Sequence, residues 1–221
     1  MCGRYLLFTN PEKLALIFRA RIDALIREQW QARYNIAPSS PALVVRMADI
    51  GRVIEPMRWG LIPHWSREPV TKYPTFNARS EEAADKASYR GPMRYRRCLV
   101  PVDGFYEWQR SGSQKQPYVI RMADEAPFAL AGLWDAWQEE LQSFSILTTR
   151  PNEVMEKVHN RMPVIVQPED YTRWLDPNIT DPQAVADILK PFPADQMYAA
   201  PVSDYVNNGQ HDGPQCMTPV T

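Results

Sequence analysis

The residue with the most unusual chemistry stands second in the chain. A small side chain behind the initiator normally permits removal of Met1, which would leave Cys2 carrying an α-amine and a thiol on adjacent carbons. An α-amine has a reference pKa of about 8 against about 10.4 for lysine, so roughly a tenth of it is neutral at pH 7. A neutral amine attacks an aldehyde to give an imine. The neighbouring thiol can then close onto the imine carbon, forming a five-membered thiazolidine. Both nucleophiles belong to one residue, so the ring closes at high effective concentration. Gly3 allows close backbone approach, and Arg4 sets a cation beside the nucleophile. For Met-Cys alone, a terminal cysteine of no function is the better reading; Gly3 and Arg4 make the sequence more unusual.

Candidates for proton transfer lie far along the chain. His159 ends a predicted helix and precedes Asn160-Arg161-Met162-Pro163, where the chain must turn into a strand. A helix C-terminus favours imidazolium, although a histidine there also serves simply as a cap. Glu107 sits in Asp103-Gly104-Phe105-Tyr106-Glu107-Trp108. If buried it would suit proton transfer. Strand alternation sets it on the face opposite Tyr106 and Trp108, which makes solvent exposure the plainer reading. Asn77 precedes a predicted helix and could orient a substrate or cap that helix, with Ser80 competing for the cap. Arginines recur where these motifs fall, and Arg94-Tyr95-Arg96-Arg97 interleaves cation with aromatic, as single-strand binders do. Trp59, Trp65 and Trp108 could stack on bases or fill a core.

These side chains need elements to hold them. Asn10-Pro11-Glu12 opens a helix, a cap followed by proline at the first helical position. Its apolar stripe, Leu14, Ile17, Phe18, Ile22, Leu25 and Ile26, keeps helical spacing. Further helices are predicted over 81–88, 152–158, 168–175 and 181–189. Runs rich in β-branched and aromatic residues at 42–47, 53–59, 98–102, 105–108, 118–122, 128–134, 144–149, 163–166 and 198–202 predict strands. Residues 100–105 suggest a tight turn between two of them, and 203–219 reads as loop with a turn at Asn207-Asn208-Gly209. Strands and helices do not alternate regularly, so the fold class is α+β, taken as a single domain over residues 1–221.

The bulk numbers exclude several classes. The 221 residues are 44% hydrophobic and 23% charged, with a formal net charge of -1. Any nucleic-acid binding must therefore come from arginines gathered on one face. Cys2, Cys98 and Cys216 are odd in number and scattered, as are His64, His159 and His211, so neither a disulfide framework nor a metal site is expected. No signal peptide or membrane-spanning run is visible, which points to a reducing cytoplasm. No cofactor is called for, and no protein partner is legible.

The motifs are Met1-Cys2-Gly3-Arg4, Arg33-Tyr34-Asn35-Ile36-Ala37-Pro38 and Arg58-Trp59-Gly60-Leu61-Ile62-Pro63-His64-Trp65, then Phe76-Asn77-Ala78-Arg79-Ser80-Glu81 and Arg97 through Trp108. Thr148, His159-Asn160-Arg161-Met162-Pro163, Val202-Ser203 and Val206-Asn207-Asn208 follow in order. Together they resemble the SOS-response-associated peptidase family, the abasic-site processing proteins, along nearly the whole chain. The resemblance implies a mixed β fold with a barrel-like centre and flanking helices. It also implies a thiazolidine crosslink between the mature cysteine and the ring-opened aldehyde of an abasic site in single-stranded DNA. On the matching positions, Asn77 would position Cys2, Glu107 would relay the proton, and His159 would assist sugar ring opening and crosslink reversal. Thr148 would be a supporting hydroxyl, Arg4, Arg79 and Arg161 phosphate ligands, and Pro38 and Trp65 stacking or wedging surfaces. Ser66 stands where some members carry a second aromatic. Met1 would leave autocatalytically or by an aminopeptidase, and peptidase or lyase-type activity would accompany the crosslink.

Two other enzyme classes fit a cysteine at this position. Class II glutamine amidotransferases expose one behind Met1, but their glutamine-binding motifs are not found here. A cysteine peptidase using Cys2, His159 and Asn77 is the nearer alternative, with its own Met1 as a candidate substrate. A DNA-binding module that shields single-stranded junctions without chemistry is a third.

Overall fold

The computed structural model describes residues 2–112 and 114–220; Met1, whose removal the chemistry of Cys2 requires, lies outside them. The long apolar runs become the strands β4 (Pro41–Ala48), β5 (Gly51–Trp59), β7 (Arg97–Val102), β10 (Phe128–Trp137) and β11 (Leu141–Thr149). They hydrogen-bond in the order β11-β10-β7-β4-β5, and β5 returns to β11 in parallel through Arg58 opposite Ser143 and Trp59 opposite Phe144. The ring is thereby closed, which leaves these strands no free edge. Every residue of β7 is buried, as expected for a strand covered on both faces.

Short strands decorate the ring: β2 (Arg21–Ile22) on β5, β6 (Asn77–Arg79) and β12 (Met162–Pro163) on β11, and β13 (Ile165–Val166) on β10. A second sheet has the order β14-β9-β8-β1-β3, built from β1 (Arg4–Leu7), β3 (Arg33–Ile36), β8 (Gly104–Ser111), β9 (Gln114–Met122) and β14 (Met197–Pro201). Helices α1 (Pro11–Phe18), α2 (Ala24–Glu28), α3 (Ser80–Ala83), α4 (Arg90–Tyr95), α5 (Glu153–Glu156) and α6 (Tyr171–Leu175) flank the sheets. The α+β class with a barrel-like centre is what the motifs led us to expect.

Local chemistry departs from the sequence reading in three places. The helix opened by Asn10 does not continue to Ile26. It stops at Arg19, which adopts the left-handed conformation (φ 48°), with Ala20 N–H donating to Ala15 C=O at 3.0 Å, the hydrogen bond of a Schellman cap. Arg21 and Ile22 then pair with Val53 and Ile54, and Asp23 caps the next helix by accepting from Leu25 N–H at 2.8 Å. The predicted turn over 100–105 is also no hairpin: β7 belongs to the ring and β8 to the second sheet, so the chain switches sheets at Asp103. The helix predicted over 81–88 ends at Ala83, and α4 follows it unforeseen.

Asp103 fixes that switch. Its buried carboxylate accepts from Phe8 N–H at 2.6 Å, Thr9 N–H at 2.7 Å and the Thr9 hydroxyl at 2.5 Å. Replacing Asp103 by Ala removes charge-assisted bonds and strands buried donors, a loss of about 3–5 kcal/mol. Urea unfolding should show it as a lower midpoint with an unchanged slope; a loss below about 1 kcal/mol would contradict the assignment.

The C-terminal stretch is indeed loop, with single 3-10 turns at Asp204–Asn207 and Pro214–Met217. Asn35 holds it: buried at 2% exposure, its Nδ2 donates to the carbonyls of Val206, Asn208 and His211 at 3.2, 3.1 and 2.8 Å. The loop covers a small apolar cluster of Leu6, Tyr106, Val119, Val202, Val206 and Cys216.

Candidate active site around Cys2

Strand β1 runs antiparallel to β8 with Arg4 opposite Tyr106 and Tyr5 opposite Phe105. Cys2 and Glu107 therefore emerge at the same end of this pair. Both are buried, Cys2 at 0% and Glu107 at 3% exposure. Alternation does set Glu107 opposite Tyr106, but both side chains are buried. The Tyr106 side is sealed by the C-terminal loop, and the Glu107 side faces the site. Exposure, the plainer expectation for Glu107, is thus overturned.

Asn77 reaches in from the ring. On β6 it lies beside Ile146 of β11, and its Nδ2 donates to the Cys2 carbonyl at 2.7 Å. It is not a helix cap, since Arg79 occupies the cap position of α3 and no side chain caps that helix. The Asn77 Oδ1, also buried, has no hydrogen-bond partner among the described residues. Burial first, and the Glu107 carboxylate second, push the Cys2 thiol well above its ordinary range. The sulfur is therefore a neutral thiol at pH 7.

His159 follows α5, whose cap is Asn152 accepting from Met155 N–H at 3.0 Å. Its Nδ1 meets the main chain of Arg161 on both sides, the N–H at 3.0 Å and the carbonyl at 3.3 Å. His159 and Glu107 line one cleft together with Trp108, Arg110, Lys115 and Asn207. A carboxylate and an imidazole at one opening can move protons in both directions.

The proposed phosphate ligands differ in their commitments. Arg161 is clamped: its guanidinium forks onto Glu81 at 2.7 Å from each nitrogen, and it also donates to Thr148 C=O at 2.6 Å. Those bonds hold the Glu81 carboxyl below the usual carboxylate range. Thr148 is fully buried, its hydroxyl donating to Ala78 C=O at 3.3 Å and accepting from Arg161 at 3.4 Å. Arg79 is mostly exposed, with one contact of 3.3 Å to Glu82. Arg4 is engaged inward, donating to Asn35 Oδ1 at 2.9 Å and Val206 C=O at 3.2 Å. Pro38 sits half-buried in the turn between β3 and β4, and Trp65 projects with 57% of its surface exposed.

The sequence reading missed the basic rim. Arg110 and Lys115 lie directly opposite each other across the β8–β9 hairpin and line the Glu107–His159 cleft. An adjoining cleft, sharing Trp108, Arg110 and His159, adds Lys157 and Asn160. Like charges facing across a ladder repel, so the pair costs stability where it stands. Folding the sequence into a hairpin about Gly112 would have revealed it. Among the described residues, no group of three or more His, Cys, Asp or Glu could hold a metal, and no helix is long and apolar enough to cross a membrane.

The chain is similar to known proteins along most of its length. The chain is 38% identical to the abasic site processing protein YoqW of Bacillus subtilis, over 97% of this chain and 98% of that one. It is 33% identical to the abasic site processing protein HMCES of Xenopus tropicalis, over 87% of this chain and 68% of that one. A crystal structure of a Bacteroides thetaiotaomicron protein superposes with a TM-score of 0.89 at 27% identity, covering both chains fully. The SOS response associated peptidase (SRAP) model matches residues 1–209, and the chain belongs to that family.

Proposed function

We propose that this protein processes abasic sites by forming a thiazolidine crosslink between mature Cys2 and the site's aldehyde in single-stranded DNA. The observation that carries the proposal is the Asn77 bond to the main-chain carbonyl of Cys2. The site grips the backbone of residue 2, which would carry the attacking amine, and it keeps the thiol neutral rather than ionised. A papain-like peptidase needs the opposite, a thiolate.

After Met1 leaves, the neutral α-amine adds to the aldehyde carbon of the ring-opened sugar. Glu107 takes the proton lost by the amine and returns it as the carbinolamine expels water. The thiol then adds to the imine carbon, its proton passing to the nitrogen, and the five-membered ring closes with one water released overall. Asn77 Oδ1 is available to orient the amine N–H. His159 protonates the sugar ring oxygen during opening and the crosslink nitrogen during reversal. Arg79 and the rim cations Arg110, Lys115 and Lys157 are the accessible phosphate ligands; Arg161 joins them if phosphate displaces Glu81. Arg4 serves chiefly to anchor the strand that bears Cys2. Trp65 and Pro38 offer apolar surface to unstacked bases.

The test is incubation of the processed protein with an oligonucleotide carrying one abasic site, followed by denaturing electrophoresis after heating. A heat-stable adduct is expected, and it should disappear in Cys2→Ala. Undiminished adduct in that variant would overturn the proposal, and release of glutamine amide or cleavage of unrelated peptides would favour the rival enzymes.

A further inference from the structure

A second histidine is built into the surface beside Trp65. Asp135 of β10 is 1% exposed and belongs to the ring, yet its carboxylate faces the loop that follows β5. One oxygen accepts from both the main-chain N–H and the ring Nδ1 of His64, each at 2.9 Å. The other accepts from Arg96 and from Ala136 N–H. The His64 ring is nevertheless 56% exposed.

A carboxylate on Nδ1 fixes the tautomer. The proton sits on Nδ1 in the neutral ring, so Nε2 then presents a lone pair and repels an anion. Once protonated, Nε2 becomes an N–H donor while Nδ1 keeps its bond to Asp135. The main-chain N–H alone would suffice to anchor the loop, which is further tied by Trp137 Nε1 to Ser66 C=O at 2.8 Å and by Ile62 N–H to Ser143 Oγ at 2.8 Å. Holding a solvent-facing ring in one orientation costs side-chain entropy without adding packing. That makes sense if Nε2 meets something.

Position narrows what it meets. Asp135 lies opposite Ser143 on β11, and Asn77 pairs with Ile146 of the same strand. Three residues along a strand is about 10 Å and an odd number, so Asp135 and Asn77 point to opposite faces of β11; what sets His64 beside the single strand is the exposed Trp65 indole, the next residue in the chain. We propose that protonated His64 is a ligand for a backbone phosphate of the single strand that passes over Trp65. This rests on the single-stranded DNA reading above. The charged groups around the ring are Asp135 and Arg96, then Arg46, which with Arg96 brackets the Trp134 ring, and Arg67 and Glu68 on its own loop. Asp135 offsets Arg96, Glu55 pairs with Arg46 and Glu68 offsets Arg67, so the cluster gains a net positive charge when His64 takes up its proton.

The experiment measures binding of an undamaged single-stranded oligonucleotide by fluorescence anisotropy between pH 8 and pH 6, across the range where histidine changes charge. Wild type should tighten about fivefold more than His64→Gln on acidification, and its salt slope should steepen by roughly 0.7, one more single-strand phosphate contact. His64→Arg, charged throughout, should bind tightly without that pH response. Exposure of the ring and the retained main-chain anchor make misfolding of these variants an unneeded explanation, checked by an unchanged melting temperature. Identical pH response and salt slope in His64→Gln would overturn the inference, while its Cys2-dependent adduct would show that the function itself stands. Absence of both single-strand binding and adduct in wild type would overturn the two together.

Discussion

Placing one alanine between Met1 and Cys2 should abolish the heat-stable adduct, although every side chain of the site is retained. Processing would then leave alanine first, with the thiol one residue away from the free amine. The alanine amine could still condense with the aldehyde, but the imine would have no thiol on the adjacent carbon to close the ring. Intramolecular closure is favoured by effective concentrations of 10⁵ M or more in well-oriented cases, so its loss should cost at least about 10³-fold in stable adduct. An imine also hydrolyses. Borohydride reduction should therefore trap a product in the extended protein that heating alone destroys. The papain-like peptidase reading predicts otherwise, because a sulfur paired with a histidine base has less need of the amine's position. Heat-stable adduct undiminished by the insertion would remove the paired-nucleophile chemistry.

The elements that the sequence made legible are the long ones. The runs that became β4, β5, β7, β10 and β11 carry enough β-branched and aromatic residues to declare themselves, and they close the ring. Around the site, β8 with Glu107 was legible as a strand at 105–108, but β1 and β3 have only four residues each and β6 has three. Their residues read as motifs rather than as strands, because pairing partners distant in sequence, not local pattern, make them extended. The helical stripe from Leu14 to Ile26 misled for a related reason. Ile22 is apolar because it packs on the ring as a strand residue beside Ile54, while Leu16 and Leu25 are exposed.

The site shows the same division. Cys2, Asn77, Glu107 and His159 could be singled out by chemistry and motif, and Asn77 and Glu107 do converge near Cys2. What could not be read was which arginines have their charge already committed. The Glu81 fork on Arg161 and the inward bonds of Arg4 join positions far apart in sequence. The rim pair Arg110 and Lys115 is accessible instead, and it follows only from hairpin register.

Glu107→Gln gives the largest effect expected from a single polar substitution. Gln keeps size and hydrogen-bonding capacity, so fold and DNA affinity should stay near normal, while crosslinking slows by about 10²–10⁴-fold through loss of proton relay. The same change has a second consequence with a known sign. Glu107's negative charge is one reason the Cys2 thiol sits above its ordinary range, burial being the larger. Removing that charge lowers the thiol pKa towards normal and raises the thiolate fraction at any given pH. A reaction limited by thiolate attack would run faster in Glu107→Gln, most visibly at alkaline pH. A reaction limited by proton transfer around the amine would run slower at every pH. Single-turnover crosslinking rates, measured with saturating abasic oligonucleotide from pH 6 to pH 9, separate the two by direction and not merely by size. A uniform decrease is expected; an unchanged or increased rate would take the proton relay away from Glu107 and return the weight to the sulfur.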